Sequence, residues 1–135
     1  MESRHISVII AADPDDVYAF AADPANLPRW ASGLAQSDVE VRGDELVVAS
    51  PMGEVVVRFA PRNAYGILDH AVTLPSGETV DNPLRVVAHP GGAEVVFTVR
   101  RRAMTDDEFA RDCGAVAEDL ARLRGILEAE RSPRD

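Results

Sequence analysis

The 135-residue sequence predicts an α+β fold in which seven antiparallel strands form a sheet against one long C-terminal helix, with two short helices after the first strand. Three observations predict it. Phe109, Cys113, Val116, Leu120, Leu123 and Leu127 recur at steps of 4, 3, 4, 3 and 4, which makes one apolar stripe along a helix. Strand-like runs precede that helix in quick succession, separated by Gly, Pro and Asn turn signals. The pattern holds no second long helix, so the stripe has the sheet alone to bury itself against. A sheet closed over one helix leaves room for a cavity, and the layout points to a small-molecule binder.

The elements follow in order. His5 to Ala11, rich in Ile and Val, reads as the first strand. Asp13-Pro14 and Asp23-Pro24 each set an N-cap before a proline at the first helical position, which predicts helices over 14–22 and 24–32. Asp15 and Asp16 suit the positive end of the first helix dipole. Pro28 limits the second helix to a turn or two. Val17, Phe20 and Ala21 make the inward face of the first helix, and Leu27, Trp30 and Leu34 that of the second. Six strands are predicted at 38–42, 45–50, 54–60, 65–74, 78–88 and 93–101, and their short connections imply antiparallel hairpins. Thr105 and Glu108 have the spacing of a capping box at the start of the last helix. Residues 1–131 read as one domain and 132–135 as a frayed tail.

The two-residue period of a strand sorts the side chains by face. Val55, Val57 and Phe59 alternate with Glu54 and Arg58, and Val95, Phe97 and Val99 with Glu94, Thr98 and Arg100. Leu68, His70, Val72 and Leu74 share one face, as do Val80, Asn82, Leu84 and Val86. Two polar side chains, His70 and Asn82, thus stand on faces that are otherwise apolar. Pro83 inside a strand implies an edge or a bulge. A bulge there turns Arg85 inward; without one, Arg85 and Asp81 form a surface pair of little energetic weight.

A net charge of −9 disfavours nucleic acid and anionic membrane surfaces, which reward clustered Lys and Arg. The sole cysteine, Cys113, excludes an intrachain disulfide and reads as a buried thiol on the stripe. No apolar run approaches the roughly 20 residues of a membrane span, and the start lacks a signal-peptide pattern, so a cytoplasmic protein is expected. His5, His70 and His89 show no metal spacing with one another or with Cys113. Gly91-Gly92 is a hairpin turn, too short for a phosphate loop, and no serine has a nucleophile context. No metal or cofactor is expected.

The opening ISVIIAADPDDVYAFAADPANLPRW (Ile6 to Trp30) resembles that of the START-like superfamily, also called SRPBCC or polyketide cyclase/dehydrase-like. YGILDHAVTLPSG (Tyr65 to Gly77), NPLRVV (Asn82 to Val87) and MTDDEFARD (Met104 to Asp112) are similar to a bacterial subgroup of uncharacterised members. The resemblance covers nearly the whole chain. It implies a helix-grip: a curved seven-stranded antiparallel sheet wrapped around the C-terminal helix, with a ligand between them. Because the superfamily includes lipid carriers, hormone receptors, aromatic cyclases, ring hydroxylase subunits and co-chaperones, the fold leaves the activity open.

Within that frame the expected ligand contacts are Trp30, Met52, Phe59, His70, Asn82, Phe97, Met104, Phe109 and Cys113. Trp30 falls where the pocket mouth lies in this fold, and a buried indole needs a partner for its N–H. His70 titrates near neutral pH and serves as acid, base or hydrogen-bond donor to a ligand carbonyl, or as a satisfied histidine in the wall. Asn82 offers a donor and an acceptor to a ligand, or bonds His70 across the hairpin. Three functions follow. The first is binding of a small, mostly hydrophobic, lipid-like molecule. The second is a cyclase or dehydratase with His70 as general acid/base. The third is a co-chaperone-like or self-associating module, such as a homodimer, that uses outward Val56 and Val96. On the helix, the Leu120 to Leu127 end is expected to pack tightly and the Phe109 to Val116 end, loosened by Gly114, to face the cavity.

Overall fold

The computed structural model describes residues 1–31, 39–50 and 53–130. Side-chain caps set the helix starts. Asp13 accepts from the Asp15 amide at 2.9 Å and opens helix α1 (Pro14–Ala22). Asp23 accepts from the Ala25 amide at 3.0 Å and opens a 3-10 turn, Pro24–Asn26, that runs into the single turn of α2 (Leu27–Trp30). The longer second helix expected over 24–32 is broken there, because Pro28 lacks the N–H that an unbroken helix needs. Leu34 lies outside the described residues. At the far end the capping box is closed on both sides: the Glu108 amide donates to Thr105 Oγ1 at 3.1 Å and the Thr105 amide to Glu108 Oε1 at 2.8 Å. It opens α3, Asp106–Glu130.

The strands are β1 (Ser3–Ile10), β2 (Val39–Arg42), β3 (Glu45–Ser50), β4 (Gly53–Phe59), β5 (His70–Thr73), β6 (Thr79–Asn82), β7 (Leu84–His89) and β8 (Gly92–Arg100). They form two antiparallel sheets, ordered β1-β8-β7 and β2-β3-β4-β5-β6, rather than the single seven-stranded sheet expected. The reason is local. Pro83 has no N–H to give to a ladder, so the run expected over 78–88 divides into β6 and β7. The run expected over 65–74 divides in register with it. Its first part bonds to β7, through Leu68 N to Leu84 O and Val86 N to Gly66 O, both 2.8 Å. Its second part, β5, pairs with β6, and Ile67 opposite Arg85 is the bridge between the sheets. Gly66 is needed at this seam: its φ is +74°, and a Cβ there would run into the Val86 carbonyl.

The break at Pro83 leaves the facing of side chains unchanged. Leu84 and Val86 are buried on the side of Val80 and Asn82, and Arg85 is exposed. Arg85 Nη2 pairs with Asp69 Oδ2 at 2.7 Å, on the neighbouring strand segment, not with Asp81. The same Asp69 accepts the Leu84 amide at 2.9 Å, so one carboxylate ties the two halves of the seam together.

The main core lies between α3 and the inner sheet faces, with Leu120 and Leu123 of α3 packed among Val55, Val57, Leu84 and Val95. Phe109 and Cys113 belong to a second, smaller cluster with Val99. Ile6, Phe97 and Val116 pack against both clusters, and a cavity opens beside them. No described helix is long and apolar enough to cross a membrane.

Candidate ligand-binding site

Between the sheets and α3 lies a cavity of about 620 Å³. Both sheets build its wall: Phe59 comes from β4, His70 and Val72 from β5, Val80 and Asn82 from β6, and Phe97 and Val99 from β8. Leu27 and Trp30 of α2 close one side, and Met104 precedes α3 on another. The helix contributes Glu108, Arg111, Asp112, Ala115, Val116, Asp119 and Leu120. Ala103, Glu108, Arg111 and Asp112 are exposed and mark the opening to solvent.

Of the residues expected from sequence, Trp30, Phe59, His70, Asn82, Phe97 and Met104 line this cavity. Phe109 and Cys113 do not; their cluster with Val99 packs α3 onto the end of β8. Met52 lies outside the described residues. Trp30, expected near the mouth, is 3% exposed and forms an inner wall. Its indole Nε1 is buried without an acceptor among the described residues, while its carbonyl accepts from Arg122 Nη1 at 3.1 Å. Gly114 faces open solvent, so it is not what makes the room. The cavity uses the flank of α3 beside the apolar stripe. That flank carries charges, so the polar residues Glu108, Arg111, Asp112 and Asp119 escaped a reading based on hydrophobic period. A carboxylate or guanidinium at the rim of a cavity looks, in sequence, like any solvated helix face.

His70 is the most constrained polar group in the wall. It is buried, stacked on Phe59 with ring centroids 4.8 Å apart and edge-on to Phe97 at 5.8 Å. Its Nδ1 lies 2.9 Å from the Leu68 carbonyl oxygen. A carbonyl can only accept, so Nδ1 carries the proton, and in the neutral ring Nε2 is left with its lone pair. Burial holds the imidazole pKa below its ordinary value of 6.5, with the Leu68 carbonyl and the Asp69 charge opposing. The ring is therefore neutral at neutral pH. Nε2 has no hydrogen-bond partner among the described residues, and neither does the side chain of Asn82, directly opposite on β6.

The charged rim is largely self-compensated. Arg102 pairs with Glu78 at 3.1 Å, Asp119 with Arg122 at 2.9 Å, and Glu108 serves the helix cap. Among the described residues no three His, Cys, Asp or Glu side chains converge as metal ligands would.

Antiparallel sheets gripping a C-terminal helix, with a lined cavity between them, define a START-like helix-grip protein. The profile of the polyketide cyclase / dehydrase and lipid transport family matches residues 1–128, and the chain belongs to that family. A comparison with curated proteins found no match. Solved structures share the fold. The Aha1 dimer from Colwellia psychrerythraea superposes with a TM-score of 0.78 at 16% identity, over 98% of this chain and 100% of that one. XoxI from Bacillus cereus gives 0.76 at 14% identity, over 98% and 100%. DynU16, a protein of the dynemicin biosynthetic locus, gives 0.76 at 13% identity, over 96% of this chain and 48% of its own.

Proposed function

We propose that this protein binds a small, mostly apolar molecule in the cavity between the sheets and α3. The observation that carries the reading is the cavity wall itself: aliphatic and aromatic side chains from two sheets surround a space that α3 does not fill, with a buried histidine set into them. A well-packed interior leaves few voids larger than a water molecule. A space of about 620 Å³ is of the size that holds a drug-sized ligand. The family's description includes lipid transport, which fits the same reading. Site contacts would be Trp30, Phe59, His70, Asn82, Phe97 and Met104.

The test uses anilinonaphthalenesulfonate, a dye that brightens in apolar surroundings. The wild type should bind it with a saturable signal, and energy transfer from Trp30, the only tryptophan, should report its approach. Ala115→Phe, which pushes a ring into the cavity, should abolish the signal while leaving the melting transition in place. Unchanged dye binding in that variant would sink the reading.

The second reading, a cyclase or dehydratase with His70 as general base, draws on the same free Nε2. It asks for a partner acid in the cavity, and of the carboxylates that line it Asp119 pairs with Arg122, Glu108 serves the helix cap and Asp112 is exposed at the opening. Binding without turnover is therefore the reading preferred.

A further inference from the structure

We infer that the ligand of this cavity is an alcohol or phenol, whose hydroxyl donates to His70 Nε2 and accepts from the Asn82 amide. The inference rests on the binding reading above and specifies its chemistry.

The Leu68 carbonyl 2.9 Å from Nδ1 decides the sign of the recognition. It leaves Nε2, the other ring nitrogen, an acceptor, so a ligand carbonyl or ether oxygen at Nε2 would set lone pair against lone pair. The ring is packed between Phe59 and Phe97, which resists the flip that would exchange the two nitrogens. Asn82 stands opposite His70 in the β5–β6 register, and directly opposed Cβ atoms lie about 5 Å apart. Its amide supplies an N–H to the oxygen whose proton goes to Nε2. A hydroxyl is the smallest organic group that donates and accepts through one oxygen, and it satisfies both side chains. A carboxylate cannot donate, so at Nε2 it would meet a second acceptor. The remaining wall, from Leu27 and Val72 to Leu120, suits an aliphatic body.

The experiment displaces bound anilinonaphthalenesulfonate with three probes of matched length: decanol, its isomer methyl nonyl ether, and decanoate. Wild-type protein should take decanol roughly tenfold more tightly than the ether, the worth of about one net hydrogen bond. Decanoate should be the weakest of the three. His70→Phe keeps an aromatic ring in place and should abolish the preference for decanol over the ether. Equal affinity for decanol and ether in the wild type overturns the hydroxyl while leaving cavity binding intact. Failure of all three probes overturns both. A decanol preference that survives in a folded His70→Phe, or tighter binding of decanoate, also overturns it. Should that variant not fold, NMR of isotope-labelled histidine in the wild type decides. Nδ1 should be the protonated nitrogen, and the Nε2 resonance should move on adding decanol but not the ether. A proton on Nε2, or no movement, counts against it.

Discussion

His70 and Asn82 are directly opposed in the β5–β6 register, yet no hydrogen bond joins their side chains. Buried polar side chains that serve the fold alone are satisfied within it. Here the Leu68 carbonyl takes Nδ1, and both residues line the cavity. Asn82→Leu should therefore leave stability within about 1 kcal/mol of wild type, since no internal bond is lost. Urea titration checks this. A loss above about 2 kcal/mol would mean that the amide holds the sheet together.

The neutral state of His70 makes stability depend on pH. Burial depresses its folded pKa below the ordinary 6.5. Between the folded value and 6.5 the unfolded chain binds more protons, so stability rises with pH across that window. The contribution is complete above 6.5 and is lost as pH falls through the folded pKa. Asp69 acts lower down: the hydrogen bond from Arg85 holds its carboxyl below the usual 3.8, so its contribution is present above 3.8 and lost below. Melting curves from neutral to mildly acid pH should show a fall in Tm for wild type. The fall should be smaller in His70→Gln, and equal slopes would contradict the depressed pKa.

Asp69 should matter more to stability than its partner. Its carboxylate takes Arg85 Nε at 2.8 Å, Arg85 Nη2 at 2.7 Å and the Leu84 amide at 2.9 Å. Arg85→Ala removes only a half-exposed ion pair, worth no more than about 1 kcal/mol. Asp69→Ala also strips the Leu84 amide of its acceptor at the point where the sheet is split, which adds about 1 kcal/mol. Equilibrium unfolding of the two variants should rank them in that order, and the reverse order would show that the carboxylate does not hold the seam.

What was legible in the chain follows from how far each signal reaches. Caps are local, and Asp13, Asp23 and the Thr105–Glu108 pair all act where their spacing placed them. The alternation that put His70 and Asn82 on inward faces is also local, and both line the cavity. Two sheets where one was expected come from Pro83, whose missing N–H was visible but whose effect depended on the partner strand dividing at the same level. Phe109 and Cys113 were misplaced for a different reason. Helical period says that a residue is covered, not by what, and Val99 at the end of β8 covers these two. The charged flank of α3 stayed hidden because polarity cannot tell a cavity rim from open solvent.

The two ends of the α3 stripe should respond differently to truncation. Leu123 is fully enclosed between α3 and the sheet, so Leu123→Ala leaves a void among side chains held on every side. Such truncations cost about 2–5 kcal/mol. Val116 is half-buried and already borders the cavity, so Val116→Ala enlarges an existing space. The cavity part of the cost is then absent, and removing two partly exposed methyl-sized groups should cost about 1 kcal/mol or less. Chemical denaturation gives both values, and dye binding gives the complement: Val116→Ala should retain the site or accept bulkier probes. Equal destabilisation by the two truncations would mean that α3 is packed uniformly against the sheets, which leaves no room for a ligand.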